Sequence, residues 1–121
     1  MTRKYHNRKI TIDGITFDSQ KEASRWQELK LLERAGEVTD LKRQVKYTLI
    51  PAQYEKVWNQ EKNRFEKGKL LEREIAYIAD FVYKNRLGLE VVEDVKGFKT
   101  PEYRIKRKLL LWELGIRIFE V

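Results

Sequence analysis

The sequence has no cysteine, one histidine (His6), and only two prolines in 121 residues. Without cysteine there are no disulfide staples and no thiolate metal centre, which fits a reducing compartment. A lone histidine in a basic terminus supports neither a histidine-based zinc site nor a Ser/His triad. The six glycines, Gly14, Gly36, Gly68, Gly88, Gly97 and Gly115, are scattered as turn residues, so there is no glycine-rich phosphate loop. No apolar run reaches the roughly eighteen residues that a membrane span needs. Met1 to Lys9 is polar and basic with no apolar segment behind it, a pattern that does not read as a secretory signal.

What is present points to a folded, basic chain. Hydrophobic residues make up 41%, enough for a core, and the length suits a single domain over residues 1–121. Lys and Arg number 26 against 19 Asp and Glu, a formal net charge of +7. Such a field favours polyanions, nucleic acid first and acidic membrane second. Charge of this kind is silent on catalysis.

Residues 1–18 read as a tail and a β-hairpin, with the core over 19–121. In the hairpin, Ile10 and Ile12 alternate with polar residues before Asp13-Gly14, and Ile15 and Phe17 alternate after it. Asp-Gly is the signature of a type I′ turn. Ser19 is a good helix N-cap, with Glu22 at capping-box spacing. Ala23, Trp26 and Leu29 open the apolar side of that helix, and Gly36 suits its C′ position.

Gln44 to Ile50 reads as a strand halted by Pro51, and Tyr54 to Trp58 as a second short strand. Asn59 to Lys69 is charged and reads as an exposed loop or hairpin tip. Leu71 to Tyr83 contains a strong strand. There Ile75, Tyr77, Ala79 and Phe81 take one face, and Ile78, Asp80 and Val82 the other. Leu89 to Lys96 is the next strand. Thr100-Pro101 starts a second helix, for which the spacing of Ile105, Leu109 and Trp112 predicts the apolar face. Ile116 to Val121 forms a last strand. A strand, a crossover helix and a further strand imply parallel pairing within a mixed sheet, hence an α/β fold.

The informative residues break this pattern. Asp80 lies inside an apolar strand, where a carboxylate needs a partner. Asp94 and Lys96, two apart, point to one face of the next strand. In a favourable register the three side chains meet. Paired carboxylates repel unless neutralised, and a hard divalent cation such as Mg²⁺ or Mn²⁺ does this well. Such an ion polarises a phosphate oxygen and activates water, while Lys96 would orient that water or stabilise developing charge. A bare Asp-x-Lys is common, and its bland reading is a charged strand end. Glu93 reads as facing solvent or a helix, and a bulge would let it exchange roles with Asp94.

Three segments, ITFDSQKEASRWQELKLLERAGEV, IAYIADFVY and VVEDVKGFKTPEYRIKRKLLLW, cover about half the chain. In them the sequence resembles the PD-(D/E)xK nuclease superfamily, more narrowly a small group of phage and prophage proteins. The resemblance implies a restriction-endonuclease-like αβββαβ core and Mg²⁺- or Mn²⁺-dependent endonuclease activity on DNA. It also implies a role in phage DNA processing or recombination in the host cytoplasm. It makes Asp80 the first acid of the motif, Asp94 the second and Lys96 the lysine, with thirteen residues between the acids. Ala79 stands where the motif has proline, which is not a ligand. Glu22 matches the first-helix glutamate that related nucleases add to the metal site, yet it also suits a simple cap with Ser19.

Lys99, Arg104, Lys106, Arg107 and Lys108 cluster on and before the second helix. They could track a phosphate backbone or form a solvated face. Tyr103, Lys106 and Leu110 share one side, which the resemblance places beside the active site. Tyr54, Trp58 and Phe65 lie among Lys62, Arg64 and Lys67, a mixture able to hold unpaired bases. Core roles for Trp58 and Phe65 are the commoner fate of aromatics, and Trp26 and Trp112 read as structural. The expected function is therefore metal-dependent DNA cleavage. RNA remains open as a substrate, no membrane is involved, and a duplex-cutting domain of this size would gain from dimerising. The rivals are a non-catalytic basic nucleic-acid-binding protein and a phage assembly protein.

Overall fold

A computed structural model describes residues 8–121. His6 and most of the basic N-terminal segment lie outside the described residues. The elements run β1 (Ile10–Ile12), β2 (Ile15–Phe17), α1 (Gln20–Arg34), β3 (Thr39–Ile50), β4 (Gln53–Asn59) and β5 (Arg64–Glu72). They continue with β6 (Ile75–Lys84), β7 (Glu90–Asp94), α2 (Pro101–Leu114) and β8 (Ile118–Glu120).

Local chemistry explains most boundaries. Asp13 and Gly14 both adopt positive φ, 52° and 77°, and join Ile12 to its partner Ile15, as a type I′ turn requires. The Ser19 hydroxyl accepts the Glu22 N–H at 3.1 Å and starts α1, while Gly36 just past its end has φ 78°. Thr100 caps α2 through the Tyr103 N–H at 3.1 Å, with Pro101 in the first turn. Gly115 closes α2 in the left-handed region.

Three sheets result. The main one is mixed, ordered β3-β6-β7-β8, and the pairs β1-β2 and β4-β5 each form a two-stranded sheet. β6 and β7 run antiparallel, whereas β7 and β8 pair in parallel, as the helical crossover between them demands. With β4-β5 set aside, helix, three strands, helix and strand remain around one mixed sheet, an α/β arrangement.

The described residues group into two compact units. Residues 8–45, 79–99 and 118–121 form the first. Its core is Phe17, Ala23, Leu29, Val38, Phe81 and Tyr83, with Trp26 packed alongside. Trp26 lies between Phe17 and Phe81, its ring 6.2 and 6.0 Å from theirs. Residues 46–78 and 100–117 form the second unit, where Leu49, Tyr77, Tyr103 and Leu110 are buried.

Several sequence expectations need correction. Of the two readings of Asn59–Lys69, exposed loop or hairpin tip, the structure has the hairpin, but much of the segment is strand rather than tip: from Arg64 onward it is β5, paired with β4 despite its charge. Trp58 and Phe65 are not core residues. They stand 45% and 64% exposed on that hairpin, stacked edge-to-face on each other at 5.0 Å. The buried side of α2 is not the Ile105–Leu109–Trp112 stripe, since Ile105 is exposed and Trp112 is 84% exposed. Tyr103 and Leu110 are buried instead, with Lys106 half-buried between them. A lysine stem can line an apolar surface while its ammonium stays wet, so the lysine disguised the true face.

Candidate functional site

The acidic residues singled out from sequence all fall within the first unit. In the β6-β7 ladder Phe81 pairs with Glu93, so the next step of the register sets Asp80 opposite Asp94. Cross-strand partners share a face, and Asp94 hydrogen-bonds the Asp80 carboxyl. Asp94 is only 2% exposed. The backbone N–H of Val95 donates to Asp80 Oδ2 at 2.9 Å. Lys96 places its ammonium 3.1 Å from Asp94 Oδ2, and the Lys21 ammonium donates to the Lys96 carbonyl at 3.1 Å.

Burial and neighbouring acids both shape the electrostatics. Burial, then the hydrogen bond and field of Asp94, push the Asp80 carboxyl up from 3.8 to about 8. The buried Glu22 carboxyl is also raised, first by burial and then by the field of Asp18, against the pull of Arg43. Glu22 adds to the field on Asp80, and Asp94 adds to that on Glu22. Glu22 also accepts a hydrogen bond from the Asp18 backbone N–H, and its guanidinium neighbour Arg43 stands 3.9 Å away. The bond to Ser19 uses the Glu22 backbone N–H, and the Glu22 carboxylate acts on Asp80 and Asp94 through its field.

Glu93 has a different position. It is fully buried and held by a two-pronged ion pair with Arg25 of α1, including Arg25 Nη2 to Oε2 at 3.0 Å. The Tyr83 hydroxyl donates to the same Oε2 at 2.7 Å. Burial and this bond push the Tyr83 hydroxyl up to about 12. Glu93 therefore faces the helix, on the opposite side of β7 from Asp94, and its oxygens are spoken for. The β6-β7 register is regular, with no bulge at Glu93.

Comparison with known proteins places the chain in a family. Residues 2–114 match the family described as Protein of unknown function (DUF1064). The chain belongs to the DUF1064 family. No curated protein and no solved structure matches it.

Two residues beside the acids in this DUF1064 chain escape a sequence reading. Gln44, inside β3, has a left-handed backbone, φ 52°, a conformation that costs a non-glycine residue about 1 kcal/mol or more. Its side-chain amide donates to Asp80 Oδ1 at 3.5 Å. Nothing in the local sequence marks a glutamine for that conformation. Glu120, in β8, is the parallel partner of Asp94, so Asp80, Asp94 and Glu120 lie in a row across three strands. Glu120 pairs with Lys99 at 3.2 Å. Its place depends on a parallel pairing across the α2 crossover, which no short pattern encodes.

The basic residues separate. Lys99 lies with the acids in the first unit, tied to Glu120. The other four are on α2 in the second unit. Lys106 pairs with Glu102 at 3.0 Å, and the Arg107 guanidinium lies 5.8 Å from the Tyr103 ring. Arg104 and Lys108 are exposed.

The donor set is all carboxylate oxygen, with no nitrogen or sulfur ligand, and that chemistry suits Mg²⁺ or Mn²⁺. Burial first, and the neighbouring Asp94 second, raise the Asp80 carboxyl, and a cation between the two acids would offset both. Among the described residues no three His, Cys, Asp or Glu side chains already stand as a ready-made cage. Asp80 and Asp94 are the close pair, and Glu22 acts on them through its field.

Proposed function

We propose that this DUF1064 protein is a Mg²⁺- or Mn²⁺-dependent endonuclease that hydrolyses DNA phosphodiester bonds, built on a restriction-endonuclease-like core. The reading rests on one observation: Asp80 and Asp94 face each other across neighbouring strands with the Lys96 ammonium beside them. The motif resemblance assigns the same three residues. A place in phage DNA processing, the host cytoplasm and a homodimer belong to this proposal.

Asp80 and Asp94 would hold the ion, with Glu22 as the third carboxylate. Bound there, a divalent ion supplies Lewis acidity at the phosphate and lowers the pKa of a coordinated water. The Val95 N–H and the Gln44 amide each donate to one of the two Asp80 oxygens, which helps to orient the carboxyl. To act as a ligand, Asp80 would have to release its proton to solvent. Asp94 anchors the Lys96 ammonium, which sits ready to orient water or offset charge building on the phosphate. The DNA strand would be drawn by the basic field of the chain; of the five basic residues on and before α2, Lys99 alone lies in the unit that holds the acids.

Incubation with Mn²⁺ and mixed DNA substrates tests this reading. Cleavage by the wild type, reduced at least a hundredfold in Asp80→Asn, Asp94→Asn and Lys96→Ala, is the expected result. Lysine, alone of the three, is not a ligand, so Lys96→Ala should cut poorly while still binding Mn²⁺. A second reading has its own observation. The direct Asp80–Asp94 hydrogen bond and the lack of a preformed cage among the described residues also suit a proton-sharing structural pair in a non-catalytic nucleic-acid-binding protein. Binding without cleavage, unchanged by Asp80→Asn, would favour that reading.

A further inference from the structure

We infer that the β4-β5 hairpin is a binding arm for unpaired nucleobases, so that the substrate of this protein carries a single-stranded stretch. The inference rests on the nucleic-acid reading of the carboxylate site and adds the class of substrate.

The register of the hairpin carries the case. Trp58 pairs with Phe65, Lys56 with Lys67, and Tyr54 with Leu70 across a bulge. Alternation along each strand therefore puts Tyr54, Lys56, Trp58, Phe65, Lys67 and Leu70 on one face. Glu55 and Glu66 fall on the other. One side is aromatic and basic without an acid, although the hairpin as a whole is nearly balanced in charge.

All three aromatics on that face are exposed, Tyr54 included. Exposed aromatics on a two-stranded sheet gain little from the fold, since water reaches them in the native state. The Trp58–Phe65 edge-to-face pair leaves ring surface open for stacking. The Lys67 ammonium lies 3.7 Å from the Tyr54 ring centroid. Lys56 and Lys67 face each other directly, a like-charge pair that works against the hairpin by itself. A phosphate backbone passing between them would turn that repulsion into attraction. Rings to stack on every base type, interleaved with cations spaced along the strand, are the physical requirements for holding single strands. Bases in a duplex hide their faces within the stack and offer nothing to such rings.

The experiment measures affinity of the full chain by fluorescence anisotropy in EDTA, where metal-dependent cleavage is suppressed. The probes are oligothymidylate, an abasic strand of the same length, and a duplex. The wild type should prefer oligothymidylate to the abasic strand by about tenfold or more. Trp58→Ala and Phe65→Ala should each remove most of that preference while abasic binding stays within about twofold. Both side chains are exposed, so both variants should fold, which circular dichroism checks. Equal affinity for the two single strands, or equal loss on both in the variants, overturns the inference. So does a concentration-dependent dimer in sedimentation that the two substitutions abolish, because the face would then belong to a second copy. An oligoribonucleotide arm separates RNA from DNA as the source of the bases. Cleavage with Mn²⁺ but no base preference would sink the arm alone. A base preference without cleavage in any metal would sink the nuclease reading alone.

Discussion

Asp80 carries the sharpest consequences. Its carboxyl titrates near 3.8 in an unfolded chain and near 8 in the metal-free fold. Between those values the native state holds a proton that the unfolded state has released, so stability must fall as pH rises through this window. Thermal melts without metal should show that decline from about pH 4 to about pH 8 and a plateau beyond. Asp80→Asn removes the buried charge and should be more stable than wild type at the alkaline end, by about 1–3 kcal/mol, while matching it at the acid end. A variant that gains stability as it loses cleavage would show that the acid is kept for chemistry rather than for the fold. Glu22→Gln should preserve the cap, whose hydrogen bond uses the backbone N–H and Ser19, yet lower cleavage strongly. Wild-type activity in that variant would leave Glu22 with the cap alone. Glu93 should behave in the opposite way. Arg25→Ala strands a fully buried carboxylate and should cost about 3 kcal/mol in urea denaturation, with the acidic pair itself untouched.

At the scale of elements, sequence signals marked positions where one residue settles the backbone. Asp13-Gly14, Ser19, Gly36 and Thr100-Pro101 announced a turn or a helix end, and each sits where that chemistry needs it. The α/β class and the parallel final strand were equally legible, because a crossover helix permits little else. Asp80, Asp94 and Lys96 stood out as polar residues on otherwise regular strands. The hidden features depend on partners distant in sequence or on side chains with mixed character. β5 fell within a segment legible only as an exposed loop or hairpin tip, because its charge masks a strand that forms by pairing with β4. The buried side of α2 was masked by the amphipathic stem of Lys106. Gln44 and Glu120 come next to the acids only through sheet pairing. The hairpin offers its own test at this scale. A Cβ at Gly68 would lie 2.5 Å from Val57 Cγ2 and 3.3 Å from the Glu55 carbonyl oxygen, so Gly68→Ala must displace Val57 and is expected to loosen the β4-β5 pairing locally. Hydrogen exchange should quicken across β4 and β5 in that variant, with α1 and β7 amides unchanged. Uniform protection throughout would mean that Val57 simply turns aside.

Over the whole molecule, the formal charge of +7 predicts strongly salt-dependent DNA affinity. Binding of duplex should weaken about tenfold or more between low and physiological salt. Base stacking on the hairpin is less sensitive to salt, so preference for unpaired over abasic strands should survive as total affinity falls. The central claim, however, is a cation held by two facing aspartates, and calorimetric titration of Mn²⁺ into the metal-free protein tests it most directly. The account predicts one ion per chain, bound with proton release near neutral pH, and no binding in either Asp80→Asn or Asp94→Asn. Mn²⁺ that fails to bind the wild type, or binds those variants equally well, would contradict it.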